Sequence, residues 1–264
     1  MMQRKTGSLT GILTLLDVDN FLRHRKGALR QALHDALQYC RKLGMTVGFV
    51  TGAPLQHVEH LTPVDIILAE SGAVKVWNGE LIVCEESRQS INRLLTHIGI
   101  PQYADGLFET VHGPILAEGR RHASFTALCE GSPPHYPEYR AIAPCKDIES
   151  WLSDAIRHLA VPLVLSAGNN DNYHWVDVIN PKKTKSQSVF ELLQDSPYPH
   201  VYYGGDANSD LQVVRENKCI IPLATNNCIA PMRREAQQRG IYVDEDGPEG
   251  GVERVLCSII DRHL

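Results

Sequence analysis

The 264-residue sequence has no C-x-x-C pair among its seven cysteines, and the count is odd. A zinc site built on paired thiolates and a disulfide framework are both disfavoured, and a reducing compartment, the cytoplasm, is the expected location. Several of the cysteines stand in apolar runs, where the thiol packs as a small hydrophobe. Long hydrophobic runs are missing too. The N-terminal stretch is basic and then apolar for only about six residues, too few for a signal peptide or a membrane span. It ends in two aspartates. Basic excess is lacking as well: the formal net charge is −5, so neither a nucleic acid nor a membrane surface is an expected partner. Short basic clusters occur at 23–26 and 182–185, and the first reads as solvated surface. Repeats and low-complexity segments are absent. The first apolar strand is followed by D-V-D-N and not by G-x-G-x-x-G, which argues against a dinucleotide-binding fold.

What is present is an ordinary globular composition, 43% hydrophobic and 22% charged, in a chain long enough for a core and a modest second domain. Residues 12–16 form a short apolar run, read as a buried strand. Ala28, Leu29, Ala32, Leu33, Ala36, Leu37, Cys40 and Leu43 trace the apolar stripe of an amphipathic helix that Gly44 stops. Strands are expected at 46–50 and 65–68, with a short helix between them. Alternating strands and helices predict a parallel α/β sheet, whose ligands bind at the carboxyl ends of the strands. Near residue 75 the pattern changes. Asn78-Gly79 splits two short runs into a β-hairpin, and helices at 86–97 and 146–159 and strands at 122–128, 161–166 and 174–179 follow. Residues 130–144 are proline-rich and read as a loop. After Pro181 the α/β alternation resumes. This organisation predicts a Rossmann-like core from 1–81 and 181–264, with an inserted α+β domain at 82–180.

Four constellations carry chemistry. In D-V-D-N, Asp17 and Asp19 stand two apart at a strand end and can converge on a hard cation such as magnesium. In Y-G-G-D-A-N-S-D, Asp206 follows another strand, and Asp210 is one turn further on. Thr51-Gly52 closes a third strand with a hydroxyl and a backbone N–H suited to a phosphate oxygen. Lys185, with Lys182 and Lys183 as competitors, enters a helix and offers a point charge to developing negative charge. Each alone also suits an ordinary turn, cap or surface position. Their order along the chain is what discriminates.

That order resembles the four-motif arrangement of the haloacid dehalogenase superfamily. The supporting phrases A-E-S-G-A at 69–73, D-V-I-N-P-K-K-T-K-S at 177–186 and Y-V-D-E-D-G-P-E-G-G-V at 242–252 are similar to its capped sugar-phosphatase branch, the Cof-like and sucrose-phosphate phosphatases of subfamily IIB. The similarity spans about residues 11–81 and 176–256. The resemblance implies a phosphatase that uses Mg2+ and an aspartyl-phosphate on Asp17, acting on a small phosphorylated metabolite, with a sugar phosphate expected. It implies that Asp19 protonates the leaving oxygen and then activates water, that Thr51, Gly52 and Lys185 hold phosphoryl oxygens, and that Asp17, the Asp19 carbonyl, Asp206 and Asp210 form or support the metal site. It further implies that the insertion is a C2-type cap, whose loop Asn169, Asn170, Asp171 and Asn172 is a candidate for binding sugar hydroxyls. A monomer or small homo-oligomer is expected. Three positions depart from the pattern: Asn20-Phe21 replaces the usual Gly-Thr after Asp19, Ala53 stands where arginine is common, and Ser209 where asparagine is common. A phosphomutase, or a low-activity module that binds a phosphorylated ligand, are the alternatives.

Overall fold

A computed structural model describes residues 8–24, 27–131, 143–169 and 173–264. In chain order the elements are β1 (Ile12–Leu16), α1 (Gln31–Lys42), β2 (Thr46–Val50), β3 (Ile66–Ala69), β4 (Val74–Trp77), β5 (Glu80–Val83), α2 (Glu85–His97), β6 (Gly106–Thr110), β7 (Gly113–Ala117) and β8 (Phe125–Gly131). They continue with α3 (Cys145–Leu159), β9 (Val164–Asn169), β10 (Tyr173–Ile179), α4 (Lys185–Asp195), β11 (His200–Gly204), α5 (Asn208–Glu216), β12 (Ile220–Ala224), α6 (Ala230–Arg239), β13 (Ile241–Tyr242) and α7 (Gly251–His263). The chain divides into two compact units. One comprises residues 1–53, 57–81 and 185–264, the other 54–56 and 82–184.

The larger unit is built on a sheet of order β13-β12-β11-β1-β2-β3-β4-β5. Every residue of β1 is buried, as an unbroken apolar run in the middle of a sheet requires. From β13 to β3 the neighbours pair in parallel, and β4 returns antiparallel to β3. The hairpin foreseen around Asn78 therefore extends this sheet instead of opening a new one. Leu33, Ala36, Leu37 and Cys40 form the buried face of α1, and Val252, Val255, Leu256, Ile259 and Ile260 that of α7. From β1 the chain winds outward through β2 and β3 on one side, then resumes at β11 on the other. The point where strand order reverses lies between β1 and β11, which is where an open α/β sheet leaves a crevice for a ligand.

The smaller unit has an antiparallel sheet of order β6-β7-β8-β10-β9. Helices α2 and α3 cover one face, burying Ile91, Leu94, Ile148 and Leu152 against Ile115, Phe125 and Val176. Leu116, Leu128, Tyr173 and the partly buried Trp175 cluster separately. Strands β6 and β7 were not foreseen. Their sequences carry Gly106, Gly113 and Pro114, which read as punctuation. The turn between them is closed locally, with the Thr110 hydroxyl donating to the Gly113 carbonyl at 2.6 Å. Most of the proline-rich segment, Arg25, Lys26 and the loop residues Asn170, Asp171 and Asn172 lie outside the described residues. No helix among the described residues is long and apolar enough to cross a membrane.

Candidate active site

The first residues past β1, β2 and β11 supply the polar groups. Asp17 follows Leu16, and its backbone N–H donates to the Gly204 carbonyl at 2.8 Å, carrying the β1–β11 pairing one residue beyond the strand. Asp206 lies two residues past β11. Asp210 is in the first turn of α5, where its Oδ2 accepts from the Ala207 N–H at 3.1 Å, a cap on an otherwise unpaired helix-end donor. Lys185 opens α4 and is buried. Its ammonium donates to Asp17 Oδ1 at 2.7 Å and to Asp210 Oδ1 at 2.8 Å, and the Tyr203 hydroxyl donates to the same Asp210 oxygen at 2.7 Å. Carboxylates 168 and 25 residues from Lys185 in sequence thus meet on its ammonium.

Carboxylate oxygens of Asp17, Asp206 and Asp210 lie within 4.8 Å of one another. Burial first, and then the neighbouring carboxylates against the partial relief of Lys185, push Asp17 well above the usual carboxylate range. Burial and Asp210 push Asp206 up to about 6. Burial alone would lower Lys185, but Asp17 and Asp210 outweigh it and raise it. Asp17 and Asp210 share one ammonium and Asp206 stands beside them, so the three carboxyl groups together can hold more negative charge than Lys185 neutralises. It must take up protons or a further cation. The donor set is all hard oxygen, with neither thiolate nor imidazole, and so suits magnesium better than a soft metal.

The other foreseen positions fall out as follows. Thr51 is buried just past β2, the parallel neighbour of β1, and its Oγ1 accepts from the Ala53 N–H at 3.1 Å. Gly52 follows it and is exposed. Lys182 is exposed and pairs with Glu86 at 3.4 Å. Asn169 ends β9 and is exposed. The side chain of Asp19 is not in the three-carboxylate group. Its Oδ1 accepts from Arg23 Nε at 3.0 Å.

Two departures at the D-V-D-N turn have a physical account. Asn20 has φ +66°, a left-handed conformation that glycine adopts freely and that asparagine tolerates better than most residues. Phe21 is fully buried, and a β-carbon at Gly204 would come within 2.5 Å of its ring. The first glycine of Y-G-G-D therefore makes room for the phenylalanine. Arg23 was missed: it belongs to a basic run that reads as surface, yet it is only 4% exposed. Tyr203 was missed too, since a tyrosine inside an apolar strand reads as core until its hydroxyl finds Asp210.

No family model and no curated protein sequence matches the chain. Solved structures do. A haloacid dehalogenase-like hydrolase from Bacteroides thetaiotaomicron is similar with a TM-score of 0.62 at 16% identity, over 94% of this chain and 98% of that one. A trehalose-6-phosphate phosphatase related protein is similar with a TM-score of 0.62 at 12% identity, over 94% and 96%. The sucrose-phosphatase of Synechocystis sp. PCC6803, in complex with sucrose and phosphate, is similar with a TM-score of 0.58 at 13% identity, over 96% and 99%. The chain has the fold of the haloacid dehalogenase-like phosphatases.

Proposed function

We propose that this chain is a magnesium-dependent phosphatase that hydrolyses a small phosphorylated metabolite, a sugar phosphate, through an aspartyl-phosphate on Asp17. One observation carries the reading: Lys185 bridges Asp17 and Asp210 beside Asp206, at the point where strand order reverses in a phosphatase-type fold. Two buried carboxylates on one ammonium, with a third partly buried beside them, are costly to the fold, and such clusters persist where chemistry needs them.

Asp17 attacks phosphorus as the nucleophile and splits one difficult displacement into two easier ones. Asp19 gives a proton to the departing alkoxide, then takes one from the water that attacks the aspartyl-phosphate. Lys185 neutralises charge on the transferred group, and Thr51 and the Gly52 N–H hold its remaining oxygens. Asp17, the Asp19 carbonyl and Asp206, supported by Asp210, would hold magnesium, which when bound would neutralise the phosphoryl oxygens. The inserted unit acts as a C2-type cap that reads the rest of the metabolite, residues 169–172 included. The sugar preference rests on the likeness to the sucrose-phosphatase and to the trehalose-6-phosphate phosphatase related protein. The cytoplasm remains the proposed location.

The test is a screen of phosphorylated metabolites for release of inorganic phosphate, with magnesium, with calcium and after chelation. The reading predicts release from a sugar phosphate that magnesium supports, that chelation abolishes and that calcium inhibits, because calcium takes more ligands than an octahedral site offers. Release from no monoester, or full activity after exhaustive chelation, would contradict it.

A further inference from the structure

An arginine is rarely buried unless its donors are matched, and the Arg23 guanidinium is matched on three sides. Nε donates to Asp19 Oδ1 at 3.0 Å, one terminal nitrogen to the Gly27 carbonyl at 3.0 Å, and the other to the His57 carbonyl at 3.2 Å. The last two acceptors are backbone, from separate segments, so they fix the guanidinium plane independently of Asp19. The backbone makes the approach possible. The Leu22 and Arg23 N–H groups both donate to the Val18 carbonyl, and the Asn20 N–H donates to the Arg23 carbonyl at 2.7 Å. This tight turn, entered through the left-handed Asn20, folds Arg23 back onto Asp19. Asn227 fastens it from the other side: its Nδ2 donates to the Asn20 carbonyl, while its Oδ1 accepts from the Gly247 N–H at 2.9 Å.

We propose that Arg23 is a positioning residue for the acid–base step, fixing the orientation in which the Asp19 carboxyl gives and takes the proton. The proposal rests on the phosphatase reading above. In the first step the Asp17 carboxylate forms its bond to phosphorus, the bond from phosphorus to the leaving oxygen breaks, and the proton on the Asp19 carboxyl passes to that oxygen. In the second, water forms its bond to phosphorus, its proton returns to the Asp19 carboxyl, and the Asp17–phosphorus bond breaks. Arg23 touches neither phosphorus nor leaving group. Its effect reaches the reaction only through the orientation of Asp19.

A residue that acts on the proton donor shows itself through the leaving group. Nitrophenolate departs without a proton, whereas an alkoxide needs one. The experiment compares kcat/KM, which reports steps up to loss of the leaving group, for p-nitrophenyl phosphate and benzyl phosphate in wild type, Arg23→Gln, Arg23→Lys and Asp19→Asn. General acid catalysis contributes about 10²–10⁴-fold, so Arg23→Gln is expected to lose roughly 30-fold on the benzyl ester and no more than about threefold on the nitrophenyl ester. Arg23→Lys should recover part of the benzyl activity, and adding Arg23→Gln to Asp19→Asn should cost the benzyl ester little further. Should Arg23→Gln prove too unstable, the same split read in Arg23→Lys decides. Equal losses on both esters would mean that Arg23 only staples the fold, and a gain on the benzyl ester would mean that it restrains Asp19; either overturns the proposal. A wild type that hydrolyses neither ester contradicts the phosphatase reading and this proposal with it, whereas an active wild type without the split overturns this proposal alone.

Discussion

The two compact units bury charge in different ways. In the smaller, Glu118 and Arg121 form a buried pair three residues apart at 3.2 Å, within one loop. Arg121 also donates to the Glu118 carbonyl at 3.1 Å and to the Ser124 hydroxyl at 3.3 Å, both close in sequence. In the larger, Lys185 is buried between carboxylates 168 and 25 residues away, and the group carries more negative than positive charge. A balanced local pair serves the fold. An unbalanced group gathered from distant strand ends works against it, and the proposed function gives it a cation and a phosphorylated ligand to hold.

Substitution makes the difference measurable. Lys185→Met removes the ammonium that Asp17 and Asp210 share, and we expect phosphatase activity to fall by about 10²–10³-fold, the usual cost of losing a preorganised charge at the transferred group. Arg121→Met takes the guanidinium away from buried Glu118 and is expected to destabilise the smaller unit by roughly 3–5 kcal/mol, with turnover of p-nitrophenyl phosphate per folded molecule little changed. Chemical unfolding and steady-state kinetics on both variants check this. If Arg121→Met costs as much activity as Lys185→Met, the contrast between the units fails.

A smaller effect sharpens the functional half of the contrast. Replacing residues 169–172 with a glycine-serine linker should weaken hydrolysis of the preferred sugar phosphate by about tenfold, the cost of a few hydroxyl contacts at roughly 1 kcal/mol each. The loss on p-nitrophenyl phosphate should be much less. Equal losses on the two substrates would assign the loop to the fold of the smaller unit.

The smallest expected effect is thermal. Burial and Asp210 raise Asp206 to about 6, so the folded metal-free protein holds a proton that the unfolded chain has already released. That contribution is present below the usual carboxylate pKa and is lost as pH rises through about 6. A cation replaces the proton, so its advantage grows as the proton leaves. Saturating magnesium should raise Tm by roughly 5 °C at pH 7.5 and by less than about half of that at pH 5. A magnesium shift that is larger at pH 5 would contradict the assigned charge balance.

The parts of this molecule that sequence made legible are those whose signal is local or ordered. The buried run of β1, the stripe of α1 and the strand-end aspartates announce themselves within a few residues, and the succession of motifs singles out Lys185 from its lysine neighbours. Arg23 could not be read in the same way. Its burial depends on the His57 carbonyl, 34 residues away, while its own neighbourhood is a run of basic residues. Strands β6 and β7 were hidden by glycine and proline, whose cost is met by the pairing of whole strands and not by local preference. Asn20 was legible as a departure. That it reaches the left-handed region is a property of the fold.

The most direct test of the central claim is to find the phosphoryl group. Wild-type chain mixed with p-nitrophenyl phosphate and magnesium, quenched in acid within the first turnovers and digested, should yield the Asp17 peptide carrying one phosphoryl group. Asp17→Asn, nearly isosteric but unable to act as the nucleophile, should fold as wild type, carry no phosphoryl group and lose on the order of 10³-fold or more in turnover. A phosphoryl group on another residue, or a folded Asp17→Asn within about tenfold of wild-type turnover, would contradict the account.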